Sequence, residues 1–290
     1  MRVVLSNISA AGLYISSIGV LFLSKKLAMV STATTVVLSL ISGRVRPVGL
    51  AALGCYAGLL ALPSYLENPY ARFGVNILGV LLNAAISLHK MPGFSNEHII
   101  QNEVISDGAV PYNLYLNYDK VLAGQITLLA FGLQTDAVLA QTRSTAFPAI
   151  LLITSATIMA ELLGAKMLGY VKTEFKIKPH FKRWAATNLL LVCPAEEALF
   201  RMQIQGNLFK QAQLQIALLL SSALFGGAHF QGGLKYVGLA GLAGAGYGLS
   251  YQLTGDVRSS MLTHFVVNFV HFLAFTYPAL ESSVSPQASF

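Results

Sequence analysis

Charge is what this sequence has least of. Of its 290 residues only 11% are Asp, Glu, Lys or Arg, while 54% are hydrophobic. Soluble globular domains carry about 25% charged residues, so an ordinary soluble domain is excluded. Cysteine is scarce as well. Cys55 and Cys193 lie far apart inside apolar stretches, which rules out a disulfide framework or a CxxC site, and for Cys193 a buried, apolar role suits better than that of a nucleophile. The HExxH pattern of membrane zinc proteases is missing. Internal repeats and low-complexity tracts are also absent, and no polar interval is long enough for a separate soluble domain.

What is present is a succession of apolar windows, near 8–24, 28–42, 47–62, 71–88, 121–140, 147–169, 185–205, 212–228, 235–253 and 258–277. Several approach the roughly 20 residues that cross a bilayer. The fold class expected is an all-α polytopic membrane protein, a bundle of about eight to ten transmembrane or re-entrant helices. Windows 28–42 and 47–62 are short enough to be tilted or re-entrant, and Gln125 and Gln134 weaken 121–140. The first window, preceded only by Arg2 and followed by Lys25 and Lys26, reads as an uncleaved anchor.

Three divisions follow: amino-terminal membrane helices over 1–180, a helical core over 181–280 and a short tail, 281–290. The longest polar interval, 89–120, alternates apolar and polar positions and reads as an interfacial or extramembrane element or a plain loop. Net charge is +7. Five cations, Lys172, Lys176, Lys178, Lys182 and Arg183, cluster in "YVKTEFKIKPHFKRW" (170–184) against one acid, Glu174. In a membrane protein such a loop is a cytoplasmic topology signal, and no nucleic-acid partner is expected. The Gly- and Ala-rich stretch 238–250, with Gly244 and Gly248 four apart, reads as a packing face. It follows no strand, so a phosphate loop is excluded.

Against this apolar background, polar groups in the carboxy-terminal half stand out: Glu196, Glu197, Arg201, His229, His264, Asn268 and His271. An ionisable group inside a membrane segment is costly and is a functional candidate by default. Residues four apart share a helix face. Glu197 can therefore pair with Arg201, Phe225 lies one turn before His229, and His264, Asn268 and His271 form one stripe. Glu196 is turned about 100° from Glu197 on an ideal helix, so the two carboxylates need not share a task. A carboxylate with a neutral imidazole can deprotonate a water, and a second imidazole with an amide N–H can donate to an oxyanion. Those groups suffice to hydrolyse a peptide bond without a covalent intermediate. On this view one Glu, unpaired in an apolar setting, does chemistry, and the Glu–Arg pair positions it.

The same residues carry a resemblance. "EEALFR" (196–201), "FGGAH" (225–229) and "HFVVN" (264–268) resemble, in order, the EExxxR, FxxxH and HxxxN motifs of the CPBP family, the CAAX-protease and bacteriocin-processing membrane proteins also called Abi proteins. The resemblance covers about 185–275 and makes 181–280 a CPBP-like catalytic core. It implies an intramembrane glutamic endopeptidase. Glu196 and His229 would activate the water, His264 and Asn268 would stabilise the oxyanion, and Glu197 and Arg201 would support them. His271 belongs to no motif and is taken as a core or pore-lining histidine. No cofactor and no metal are expected. The expected partners are membrane lipids and a peptide or protein substrate, lipid-modified ones included, and the expected setting is a bacterial inner or plasma membrane.

Rival chemistries fit less well. Glu196, His229, His264 and His271 could supply zinc ligands, but without the usual spacing. "GLSY" (248–251) with His264 matches a rhomboid serine pattern only loosely, and Asp119 with Asp256 would have to meet to form an aspartyl dyad. A non-proteolytic membrane partner or immunity protein of the same fold is the main alternative. A transporter would show broken helices in paired halves, which the sequence does not.

Overall fold

In a computed structural model the described residues are 2–133, 146–175, 177–209 and 213–284. Gln134, Lys176 and most of the tail expected at 281–290 lie outside them.

Helices dominate: α1 (Arg2–Phe22), α2 (Lys25–Ile41), α3 (Pro47–Ala61), α4 (Pro69–Ser87), α5 (Tyr118–Phe131), α6 (Ala146–Ile158), α7 (Gly164–Met167), α8 (Phe181–Thr187), α9 (Cys193–Glu197), α10 (Leu214–Ala228), α11 (Leu234–Thr254) and α12 (Val257–Ala274). Wider π turns occupy Met159–Leu163, Asn188–Val192 and Ala198–Leu208. The ends follow local chemistry. Pro47 and Pro69 open α3 and α4, where a missing N–H costs nothing. Asn68 accepts from the Tyr70 and Ala71 N–H groups, Asp256 caps α12, and Gly255 ends α11 at a positive φ of 64°.

Each apolar window is helical over most of its described part. Four helical stretches among the described residues are long and apolar enough to cross a membrane: Val4–Phe22, Pro47–Tyr65, Pro69–Ser87 and Phe147–Met167. The interval 89–120 contains a two-stranded sheet, β1 (Glu97–Glu103) with β2 (Tyr112–Leu116), which accounts for its period of two.

The chain divides into two compact units interleaved in sequence. The first comprises Met1–Glu97, Leu116–Thr135 and Leu189–Gln211. Here α1 packs on α2, and α5 packs on α1, α3, α4 and α9. Glycine lets backbones meet: a Cβ at Gly124 would lie 2.7 Å from the Ala195 Cα. Polar side chains tie the apolar helices together. Asn83 Nδ2 donates to Tyr56 Oη and to Gln203 Oε1, both at 2.8 Å. Gln125, which looked out of place in its window, donates to Ser16 Oγ at 2.9 Å and Ser17 Oγ at 2.8 Å, binding α5 to α1.

The second unit comprises His98–Tyr115, Asp136–Asn188 and Ala212–Phe290. A Cβ at Gly226 would fall 2.5 Å from the Val237 carbonyl oxygen, so α10 and α11 touch backbone to backbone. The Gly-rich face of α11 also meets α6, where Gly246 abuts Thr157. Three segments distant in sequence are joined by backbone hydrogen bonds: Val110 N–H to Ala279 C=O at 3.0 Å, Glu281 N–H to Gly108 C=O at 3.0 Å, Thr276 N–H to Lys172 C=O at 2.8 Å and Leu280 N–H to Tyr170 C=O at 2.9 Å. Beneath them Ile100, Ile105, Tyr112, Leu114, Trp184 and Phe272 form one apolar cluster.

One cation of the basic loop is drawn inside. The Lys178 side chain is fully buried and donates to the Phe272 carbonyl at 2.6 Å. The reason is the carboxy-terminal turn of α12, whose unpaired carbonyls and partial negative charge attract a cation.

Candidate active site

The carboxylates belong to the first unit. Pro194 opens the short α9, which presents Glu196 and Glu197 before the backbone widens into the π segment. Glu197 and Arg201 are both fully buried, with Nε 2.9 Å from Oε2, and Arg201 also donates to Gln205 Oε1 at 3.3 Å. The four-residue spacing therefore produces a closed ion pair.

Glu196 departs from expectation. It was expected to be the unpaired carboxyl, yet Lys120 Nζ donates to its Oε1 at 2.5 Å. The cause is the close approach of α5 to α9 at Gly124 and Ala195, which brings position 120 to the level of Glu196. Nothing near 196 in sequence points to Lys120. The available signals were a lysine entering an apolar window and a glycine one turn later. Asp119, considered above for an aspartyl dyad, accepts from His89 Nδ1 at 2.7 Å and from Asn96 Nδ2 at 3.1 Å. Asp256, the other candidate, caps α12 and pairs with Arg258 at 2.6 Å.

The imidazoles belong to the second unit. His229 follows the last residue of α10, and its Nδ1 lies 2.7 Å from the Phe225 carbonyl oxygen. A carbonyl can only accept, so Nδ1 carries the hydrogen and the neutral ring keeps its lone pair on Nε2. The Phe225 ring lies between two histidines, with centroids 4.7 Å from His229 and 5.7 Å, edge-on, from His264. Gly244 makes room for that ring, since a Cβ there would sit 3.2 Å from it. His264 stacks on Tyr247 at 4.4 Å and 13°. Asn268 Nδ2 donates to Asn188 Oδ1 at 3.1 Å, a partner outside the three motifs.

The structure thus groups Glu196, Glu197 and Arg201 in one unit and His229, His264 and Asn268 in the other. His271 sits by the carboxy-terminal end of α12, its Nε2 3.2 Å from the Thr276 carbonyl and its ring against Tyr277, the contacts of a core histidine. Cys193 is buried. Among the described residues no three His, Cys, Asp or Glu side chains form a group suited to a metal ion.

Comparison with known proteins gives one family. Residues 179–270 match the family model described as Type II CAAX prenyl endopeptidase Rce1-like, and that stretch contains all seven motif residues. No curated protein and no solved structure matches the chain.

Proposed function

With residues 179–270 an Rce1-like domain of the CPBP family, we propose that this integral membrane protein is an intramembrane endopeptidase of the CAAX type that works through a glutamate-activated water. The observation that carries the proposal is that one family domain encloses EExxxR, FxxxH and HxxxN together.

In this mechanism His229, whose Nδ1 donates to the Phe225 carbonyl, uses the Nε2 of its neutral ring to accept a hydrogen bond from the attacking water. Glu196 takes the proton as the oxygen adds to the scissile carbonyl, then delivers it to the departing amine. His264 and Asn268 donate to the oxyanion that forms. Stacking on Tyr247 and the bond to Asn188 limit how far these two donors can turn. Glu197 and Arg201 neutralise each other and hold α9 in register. The substrate is a peptide or protein at the membrane, and the family's chemistry favours one bearing a prenyl group near its carboxy terminus.

The test is turnover of a fluorogenic farnesylated CAAX peptide by purified protein in detergent. Glu196→Gln and His229→Ala should each lower kcat by roughly a hundredfold or more while the protein still folds. Activity should survive a chelator. Full turnover by Glu196→Gln would overturn the glutamic mechanism, and loss on chelation with recovery on zinc would point to a metal.

A further inference from the structure

The carboxylate assigned to the water is gripped by a cation that none of the three motifs contains. Lys120 and Glu196 are both largely withdrawn from solvent, with side-chain exposures of 19% and 12%. Their meeting is built into the backbone. Gly124 lies one turn beyond Lys120, and any side chain there would collide with Ala195, the neighbour of Glu196. The first turn of α5 is anchored too. Asp119 is buried, accepts from the Lys120 N–H at 2.8 Å, and is bonded by Asn96 and His89. Lys120 therefore projects from a fixed turn onto a fixed helix.

The charges around Glu196 can be assigned by element. Of the elements packed on α9, α5 supplies Lys120 and Asp119, and the π segment supplies Arg201, which is bound to Glu197. On α9 itself the titratable neighbours are Cys193 and Glu197. Asp119 is engaged with His89 and Arg201 with Glu197, and Lys120 is a cation set against Glu196.

We propose that Lys120 is a positioning residue for hydrolysis, orienting the Glu196 carboxylate and compensating its charge. The proton balance is simple. Water gives a proton to Glu196, which neutralises the carboxylate and loosens its bond to Lys120. The proton then passes to the leaving amine, and the ion pair re-forms. This inference rests on Glu196 being the water-activating carboxylate.

The experiment compares Lys120→Met, Lys120→Gln and Lys120→Arg with the parent for kcat, KM, the pH profile and melting in detergent. Removing an opposite charge favours the protonated carboxyl. In the Met and Gln variants the acid limb of kcat/KM should therefore move to higher pH, by about one unit or more. At neutral pH kcat should fall about tenfold or more, with KM within about twofold. Lys120→Arg should return the limb towards the parental position. Should Lys120→Met fail to fold, the Gln and Arg variants make the same comparison. An unmoved acid limb in the uncharged variants that fold overturns the inference. If Glu196→Gln is inactive while the Lys120 variants behave like the parent, only the role of Lys120 is lost. If Glu196→Gln is fully active, the function proposed above fails on its own evidence.

Discussion

The carboxylates and the imidazoles are held by different physics. In the first unit Glu196 and Glu197 are each matched by a cation, Lys120 and Arg201. In the second, beside the His229 bond to the Phe225 carbonyl, His229 and His264 are set by rings and by missing side chains: Phe225 between them, Tyr247 stacked on one, Gly244 clearing space for the Phe225 ring, and Gly226 letting α10 touch α11. An ion pair tolerates small shifts but not the loss of one partner. A ring packed against glycine tolerates loss of polarity but not added volume. The two groups should therefore fail in different ways.

The largest difference is expected at Arg201. Removing one member of a buried pair leaves a charge uncompensated and costs about 3 to 5 kcal/mol, whereas removing both is far milder. Arg201→Met should lower the melting temperature and the yield of folded protein, and Glu197→Gln with Arg201→Met should recover part of both. Parental melting in the single variant would show that the pair contributes little. At Gly226 the opposite manipulation matters. Gly226→Ala puts a methyl against the Val237 carbonyl, an overpacking cost of about 1 to 3 kcal/mol, and a polar second substitution should not rescue it. If a thermal melt shows no loss, α10 and α11 have more room than the structure gives them. The smallest effect is expected at Tyr247. Tyr247→Leu keeps apolar bulk and removes a stack worth about 0.5 to 1.5 kcal/mol, so the melting temperature should fall by less than in Arg201→Met. Turnover should fall more than binding, because His264 loses the surface that fixes its plane. A parental kcat in Tyr247→Leu would show that the stack does not orient His264.

What could be read in advance was local. Apolar runs located the helices, period-two alternation marked 89–120 as something other than a span, and the four-residue interval gave Glu197–Arg201 and Phe225–His229. The partners that escaped notice are distant in sequence or wear a misleading residue type. Lys120 is 76 positions from Glu196, and Asn188 is 80 from Asn268. Lys178, one of a row of lysines, looked like a loop charge until the end of α12 was found next to it. Gln125 weakened a predicted helix, yet its side chain helps to join α5 to α1. Periodicity reports which face of an element is apolar. It says nothing of what another element brings to that face.

The backbone stitching between 106–110 and 276–281 also imposes a timetable. The Tyr277 N–H donates to Ser106 Oγ across 171 positions, and Val110 and Gly108 bond to Ala279 and Glu281. A ribosome adds about 5 to 20 residues each second, so roughly ten to thirty seconds separate the synthesis of these partners. During that interval the newly made 106–110 segment must wait without the bonds that will later secure it. Translation speed and any chaperone that occupies the segment meanwhile thus become part of how this protein reaches its structure.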